Sequence, residues 1–295
     1  IEERKRILRE HWVDATDWVV SDIHKVPRLV PGSGTLSYAV IHPGDRFTLG
    51  EWVDHMISPS ANAAGSMVWK EAMLLRAFGK DYPPSRQQED DFFRTTPGAQ
   101  LRDLAQTVIN DALIAAELNP EALRVGSFWT QTGKRKVPGV GGSRASPREL
   151  ARWLLRLEQG RLVDAWSSLE MKRYLYMTKR RYRYVYAPEL AQAAVYFKSG
   201  SLYRCVPEAG YRCGKYLGNA QNAMNSVVIV ESPARAEGTR KRYLVALTSD
   251  VRKINSAWDH SRLGAAIEEI VRSRQPVKLR EAGSAQEIER SGMSE

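Results

Sequence analysis

The sequence predicts an α+β fold, in which a helical first half precedes a strand-rich second half and a closing helix. Apolar residues recur at helical spacing in several segments of residues 1–188. After Pro188 the pattern changes to short runs rich in β-branched and aromatic residues, which are typical of strands. Ser256 and Asp259 then form a capping pattern that opens a helix to about Arg272.

Start signals divide the helical half into separate helices. Thr48 and Glu51 form a capping box, and Ser146 followed by Pro147 is a strong helix start. The predicted helices cover residues 1–13, 48–57, 60–78, 100–118 and 146–160, with a further helix after Asp164.

Proline, glycine and polar residues mark the remaining segments. Residues 79–99 and 124–145 are predicted to be loops, and residues 25–46 are predicted to be loops with one short strand at 36–41. The predicted strands of the second half cover residues 193–197, 201–205, 225–231 and 242–248.

We expect one domain over residues 1–272, with a helical part at roughly 45–188 and a sheet part at roughly 189–272. Residues 273–295 are polar and predicted to be disordered, because they offer little apolar surface to bury.

Composition narrows the class of protein. The chain has 295 residues, 43% of them hydrophobic, and a formal net charge of +10. These values suit a soluble globular protein with a large core. No uncharged run approaches the roughly 20 residues that span a bilayer, so no transmembrane segment is predicted. The positive charge favours anionic surroundings such as nucleic acid, cell-wall polymers or membrane surfaces, although it serves solubility equally well.

The cysteines indicate a compartment, and the histidines argue against a metal site. Cys205 and Cys213 flank Pro207 and Gly210, a spacing that suits a hairpin closed by a disulfide. A disulfide would imply an oxidising, extracytoplasmic compartment, and two buried free thiols are the alternative. The five histidines are scattered without metal-ligand spacing, so no metal or other cofactor is predicted.

Two short polar motifs carry the functional prediction. Ser60-Ala61-Asn62 lies at a predicted helix start, and Lys198-Ser199-Gly200-Ser201 continues a predicted strand. Each is weak alone, because Ser-x-Asn is typical of a helix cap and Lys-Ser-Gly of a turn. Context strengthens the second motif, because it follows the apolar run 193–197 and precedes Leu202-Tyr203.

Several stretches, in this order, resemble the class A serine β-lactamases and the penicillin-binding proteins of the same superfamily. These stretches are residues 47–62, 145–160, 197–203 and 245–249, and the resemblance covers most of residues 45–272. It implies a β-lactamase/transpeptidase-like fold, with an all-helical subdomain beside an antiparallel sheet flanked by helices. It also implies a serine that attacks an amide or ester carbonyl and forms an acyl-enzyme.

The resemblance implies roles for both motifs. Ser60 would relay a proton to the leaving nitrogen, and Lys198 would orient Ser60 and attract a substrate carboxylate. The implied substrate-binding residues are Asn62 for the amide carbonyl, Ser199 for the carboxylate, Gly200 beside which substrate would lie, and Ser201, whose N–H would be half of an oxyanion hole.

The nucleophile motif of the family, Ser-x-x-Lys, is absent, because none of the 23 serines has a lysine three positions later. In the family this motif precedes Ser-x-Asn by several tens of residues, on a buried central helix that follows two strands. We therefore expect these elements to precede Ile1, with residues 1–13 as the tail of that helix.

Two further departures concern Ala61 and the segment 122–148. Ala61 replaces the aspartate of the family's Ser-Asp-Asn motif. Residues 122–148 contain six Arg or Lys and no Asp or Glu. Class A β-lactamases use a glutamate near this position to activate the deacylating water, so deacylation is expected to be slow here.

The leading interpretation is an extracytoplasmic serine hydrolase that acts on amide or ester bonds through an acyl-serine intermediate. Its substrate would be a peptide or a small β-lactam-like molecule, and an anionic cell-wall polymer is a candidate partner. A non-catalytic wall-peptide-binding module on the same fold is the alternative.

A basic nucleic-acid-binding protein is a further alternative. Residues 172–184 interleave basic and aromatic side chains, a composition that can bind single strands by stacking and phosphate contacts. Solvated charges and packed tyrosines explain the run as well, so no nucleic-acid partner is expected.

Overall fold

The computed structural model describes residues 1–30, 32–178, 186–234 and 239–274. Within these ranges the chain forms nine α-helices and seven strands. The helices are α1 (Glu2–Glu10), α2 (Leu49–Ile57), α3 (Asn62–Phe78), α4 (Arg86–Thr95), α5 (Gly98–Ala115), α6 (Gln131–Lys136), α7 (Pro147–Glu158), α8 (Ala165–Tyr176) and α9 (Ser256–Ser273). The strands are β1 (Trp12–Asp14), β2 (Lys25–Leu29), β3 (Leu36–Val40), β4 (Arg46–Thr48), β5 (Ala194–Arg204), β6 (Gln221–Ser232) and β7 (Lys241–Asp250).

The three long strands form an antiparallel sheet in the order β5-β6-β7. On one face, Leu154 of α7 and Leu175 of α8 pack with Ile229 of β6. On the other face, α9 packs against a layer that contains Phe197 and Val228. The predicted sheet flanked by helices is therefore confirmed.

Helix α3 forms the centre of the helical part. Met67, Met73 and other side chains of α3 are completely buried. Trp69 stacks on Phe128 with ring centroids 4.3 Å apart, which joins α3 to the segment that follows α5. Gly65 leaves room for Trp129, because a Cβ at this position would lie 3.1 Å from that ring.

The prediction of a loop over residues 79–99 is wrong, because this segment contains α4. Ser85 and Gln88 form a capping box, in which each side chain accepts the backbone N–H of the other residue. Phe93 of α4 packs edge-on against Trp18. The Ser85-x-x-Gln88 pattern was therefore the signal that predicts this helix.

Two other loop predictions also need correction. Residues 25–46 contain the paired strands β2 and β3, in which Pro27 lies opposite Tyr38. Proline fits here because each strand of a two-stranded sheet is an edge strand. Residues 124–145 contain the short helix α6, which Thr130 caps by accepting the Gly133 N–H.

The two strands predicted over residues 193–197 and 201–205 are one strand, β5 (Ala194–Arg204), and Cys205 is disulfide-bonded to Cys213, as predicted. None of the helices in the described ranges has the length and apolarity that a membrane span requires. Most of the predicted tail, at 275–295, and residues 179–184 of the basic aromatic run lie outside the described residues.

Helix α3 also carries a buried charge network. Lys70 is 1% exposed, and its Nζ lies 2.8 Å from Glu71 Oε1 and 2.7 Å from Glu89 Oε1. The Tyr82 hydroxyl donates to Glu71 Oε2 at 2.9 Å. Burial alone would raise the pKa of Glu71, but the Lys70 ammonium outweighs it and lowers that pKa to about 2. Each charge is therefore stable here only with its partners.

Replacing Lys70 by Ala is expected to lower the free energy of unfolding by about 3–5 kcal/mol, because the buried Glu71 and the partly buried Glu89 lose their counter-ion. Urea unfolding at pH 7 measures this loss. Arg76→Ala, on the same helix, is the matched control. Arg76 pairs with Asp111 at a half-exposed site, so its removal is expected to cost less than about 1 kcal/mol. Equal losses in the two variants would contradict this account.

Candidate active site

The structure brings the two predicted catalytic residues together. Lys198 Nζ donates a hydrogen bond to Ser60 Oγ over 2.8 Å, although 138 residues separate them in the chain. Lys198 lies within β5, and Ser60 lies in the turn between α2 and α3. The same ammonium donates to the Ser199 carbonyl at 2.6 Å. This contact joins the helical part to the sheet and defines the candidate site.

The turn that carries Ser60 has an unusual backbone. Ser60 has a φ of 61°, a left-handed conformation that is uncommon outside glycine. Hydrogen bonds hold both sides of the turn, since the Ala61 N–H donates to the His55 carbonyl and the Ser58 N–H donates to the Asp54 carbonyl. Ser58 Oγ also donates to the carbonyl of Met177, after α8. The surrounding structure therefore fixes a conformation that serine would not adopt by preference.

Strand β5 presents its motif residues on two faces. Side chains alternate along a strand, so Lys198 and Gly200 share one face, whereas Ser199 and Ser201 lie on the other. Among the described strands β5 has one neighbour, β6, so it forms an edge of the sheet. A Cβ added to Gly200 would meet nothing within 4 Å, which leaves open space beside the strand.

Asn62 is the first residue of α3 and is partly exposed. It lies two positions from Ser60, so the same turn sets the position of both residues. The predicted helix over residues 60–78 begins at Ser60. In the structure α3 begins at Asn62, because the left-handed φ of Ser60 is incompatible with a right-handed helix.

A cavity of about 520 Å³ opens beside Lys198, between the helices and the sheet. A larger cavity of about 640 Å³ lies between α1, α2 and α8, away from both motifs, so its size does not mark the site. The apolar residues that line the cavity beside Lys198 are Ile57, Ile109, Leu113, Leu123, Val125, Ala145, Leu150, Trp153, Leu175 and Val227.

Positive charge dominates the cavity beside Lys198. Arg124 and Arg144 also line it, and the described lining includes no Asp or Glu. Arg144 donates to Glu121 Oε2 at 2.6 Å, outside the lining, so part of its charge is compensated there. A partly enclosed cavity of this kind favours a ligand that combines apolar groups with a negative charge.

The basic segment 122–148 forms one wall of this cavity. It is attached to α3, because the N–H groups of Trp129 and Thr130 donate to Ser66 Oγ at 3.3 and 3.2 Å. The segment itself contains no carboxylate, and Glu149 beyond it accepts the Asn119 N–H at 2.9 Å. This wall therefore offers cations and hydroxyls to a ligand, but no carboxylate to activate water.

Sequence reasoning missed one buried residue at the site. The Asp22 carboxylate accepts the Ala63 N–H at 2.8 Å, at the start of α3. Forty-one residues separate the two partners, so no local capping pattern predicts this contact. In the described residues no cluster of His, Cys, Asp or Glu could hold a metal ion.

Residues 22–212 match the model of the beta-lactamase enzyme family. The match covers more than half of the chain and includes both motifs and the wall formed by the basic segment. The chain therefore belongs to the beta-lactamase enzyme family. None of the curated proteins compared with the chain matches it.

Solved β-lactamase structures share this fold at low sequence identity. A class A β-lactamase from Bacteroides cellulosilyticus DSM 14838 aligns with 91% of this chain and 76% of its own, at 14% identity and a TM-score of 0.54. A β-lactamase from Sphaerobacter thermophilus DSM 20745 aligns with 92% and 76%, at 18% identity and a TM-score of 0.51. The class A enzyme from Mycobacterium abscessus aligns with 90% and 78%, at 13% identity and a TM-score of 0.51. These similarities confirm the predicted β-lactamase-like fold.

His55, whose carbonyl accepts the Ala61 N–H beside Ser60, has a buried side chain. Its ring is 4% exposed and packs edge-on against Phe47 with centroids 4.7 Å apart. Neither ring nitrogen has a hydrogen-bond partner. Burial lowers the pKa of His55 to about 4, so the ring is neutral at pH 7.

Acidification is expected to destabilise the protein through His55. An unfolded histidine has a pKa of about 6.5, so the unfolded state binds a proton before the folded state does. The contribution of the neutral His55 ring to the free energy of unfolding is therefore fully present above about pH 6.5. It is lost as the pH falls from about 6.5 to about 4. The loss amounts to about 3 kcal/mol. Urea unfolding of wild type and His55→Leu measures it. The His55→Leu variant should be less sensitive to pH over this range, and parallel pH profiles would contradict the prediction.

Proposed function

We propose that this protein is a serine hydrolase that acts on amide or ester bonds through an acyl-serine intermediate. The observation that carries the proposal is the 2.8 Å hydrogen bond between Lys198 and Ser60, in a chain of the beta-lactamase enzyme family. Lys198 and Ser60 would transfer the proton to the leaving group, and the neighbouring residues would bind substrate.

The direction of this hydrogen bond supports a relay role for Ser60. A protonated lysine can only donate, so Ser60 Oγ accepts from Lys198 and keeps its own proton for another acceptor. That proton is the one a leaving nitrogen would need. The fixed left-handed turn limits the movement of Ser60, and a fixed donor loses less orientational freedom when it transfers a proton.

The remaining predicted residues would bind substrate along the open edge of β5. A substrate amide beside Gly200 would reach the Ser201 N–H as an oxyanion donor and Asn62 on the helical side. Lys198 would receive a substrate carboxylate, which the positive cavity attracts, whereas the Ser199 side chain lies on the other face of β5 and would reach that carboxylate only around the open edge of the strand. A β-lactam or a peptide with a free carboxylate satisfies these requirements, and an anionic cell-wall polymer would be compatible with the net charge of +10.

The acylating serine and the fate of the acyl-enzyme are separate questions. No Ser-x-x-Lys pattern occurs in the 295 residues, so we assign no nucleophile among them. The wall formed by residues 122–148 offers no general base for water. A slow deacylation, as in a penicillin-binding protein, fits this wall better than fast β-lactam turnover. The Cys205–Cys213 disulfide supports an extracytoplasmic location.

Removing the Lys198 ammonium is expected to weaken binding of benzylpenicillin by about 10- to 100-fold. A hydrogen bond to a charged group contributes about 1.5–3 kcal/mol, which corresponds to this range of affinity. Isothermal titration at pH 7 compares wild type with Lys198→Ala. Lys241→Ala, at the start of β7, removes the same charge away from the site and should leave the affinity unchanged. Failure of the wild-type protein to bind would count against the proposed function.

Acylation is tested on the protein expressed from its complete gene. Incubation with a labelled penicillin should give a covalent adduct that decays slowly, and Ser60→Ala should reduce the rate of adduct formation by roughly 100-fold or more. Intact-mass spectrometry follows both. Binding without any adduct, and without hydrolysis of amides or esters, would favour the non-catalytic wall-peptide-binding module.

A further inference from the structure

Helix α3 begins without a cap of its own. Ala61 is its N-cap residue and has no side chain that could accept a hydrogen bond. The first N–H groups of a helix have no partner within the helix, and a buried N–H without a partner is costly. Ala61 and Ala63 are both almost completely buried, so water cannot readily fill this role.

Asp22 supplies the missing acceptor from a distant segment. Its side chain is 1% exposed, and Oδ2 accepts the Ala63 N–H at 2.8 Å. Aspartate is among the best capping residues, and its charge also suits the positive end of the helix dipole. The carboxylate thus acts as the N-cap that the alanine at position 61 cannot provide.

The orientation of Asp22 is itself fixed. Its Oδ1 accepts the N–H groups of Ile23 and His24 at 2.8 and 3.1 Å and lies 2.6 Å from His24 Nδ1. Burial would raise the pKa of Asp22, but the hydrogen bonds from His24 and Ala63 outweigh it and lower the pKa. The group therefore stays ionised at pH 7 and cannot rotate without losing several bonds.

The same segment also reaches the basic wall of the cavity. Ser21 Oγ accepts the Gln131 N–H at 3.0 Å, at the start of α6. Ser21 has a φ of 86°, so the backbone is strained between the residue that binds Gln131 and the residue that binds Ala63. Residues 21–22 thus attach both the start of α3 and the segment 122–148.

We propose that Asp22 is a positioning residue of the candidate site, which replaces the cap that Ala61 lacks and thereby fixes Ser60 and Asn62. Asn62 directly precedes the N–H that Asp22 binds, and Ser60 precedes the capped turn by one residue. This inference rests on the proposed function, because Ser60 and Asn62 matter to a ligand only if the site binds one. Asp22 itself has no expected contact with substrate.

The experiment uses the 295-residue chain and two measurements. Amide hydrogen exchange of Ala63, followed by NMR, reports on the cap, and titration with benzylpenicillin reports on the site. Asp22→Ala is expected to speed Ala63 exchange by roughly 5- to 30-fold, the effect of losing one helix cap, and to weaken binding by a similar factor. Adding Ala61→Ser, which supplies a local cap with one extra oxygen, should restore both values toward wild type.

Two further variants separate positioning from general destabilisation. Asp45→Ala removes a carboxylate from the turn between β3 and β4, where Asp45 accepts the His42 N–H and pairs with Arg28. It should lower overall stability without changing Ala63 exchange or the affinity. Asp22→Asn keeps an oxygen acceptor, so its Ala63 exchange rate and its affinity should lie between those of wild type and Asp22→Ala. If Asp22→Ala does not fold, the comparison of Asp22→Asn with wild type decides the test.

Unchanged Ala63 exchange in Asp22→Ala would overturn the proposal, because the cap would then be unimportant. Faster exchange with unchanged affinity would overturn it as well, because Asp22 would then hold the helix without positioning the site. If the wild-type protein does not bind benzylpenicillin, the proposed function fails, whereas the Ala63 exchange rate still decides whether Asp22 caps α3.

Discussion

The contact between Lys198 and Ser60 depends on the conformation of one turn. Ser60 can face β5 only because its backbone is left-handed, and that conformation costs about 1–2 kcal/mol for a residue other than glycine. The cost is offset by the hydrogen bonds on each side, to the carbonyls of His55 and Asp54. The turn therefore depends on the C-terminal end of α2 as much as on its own sequence.

Charge is distributed differently at the two ends of this region. Deep in α3, the Lys70 ammonium lies between the Glu71 and Glu89 carboxylates, so this part of the core carries a net negative charge. Just before the start of α3, Ser60 accepts from Lys198, and Lys198 also lines the cavity together with Arg124 and Arg144. Asp22 compensates the helix end from within the protein. Lys198, Arg124 and Arg144 place positive charge at the cavity, where an anionic group would meet it.

Signals confined to a few residues predicted much of the fold. The capping box at Thr48 and the Ser146-Pro147 start open α2 and α7 where expected. The equally local Ser85 signal was overlooked, and α4 was missed with it. Strand β2 was missed because Pro27 argues against a strand unless the strand is an edge, and sequence alone does not reveal the edge.

Less of the candidate site could be predicted from the sequence, because its contacts join residues that are far apart in the chain. Resemblance to a known family suggested that Ser60 and Lys198 meet, and neither motif alone predicts this. Asp22 lies 41 residues from the N–H that it binds, and no pattern joins the two. A residue that caps a buried helix end from a distant segment is identified from the three-dimensional structure, because each buried N–H there needs an acceptor.

The alternation of β5 makes the site sensitive to strand alignment. A shift of one residue between β5 and β6 would turn Lys198 toward α9 and bring Ser199 to the face that carries Ser60. Eleven residue pairs resist such a shift, and the disulfide between Cys205 and Cys213 shortens the free length of the connection between the two strands. Oxidation of these cysteines would therefore favour correct pairing of β5 with β6 during folding.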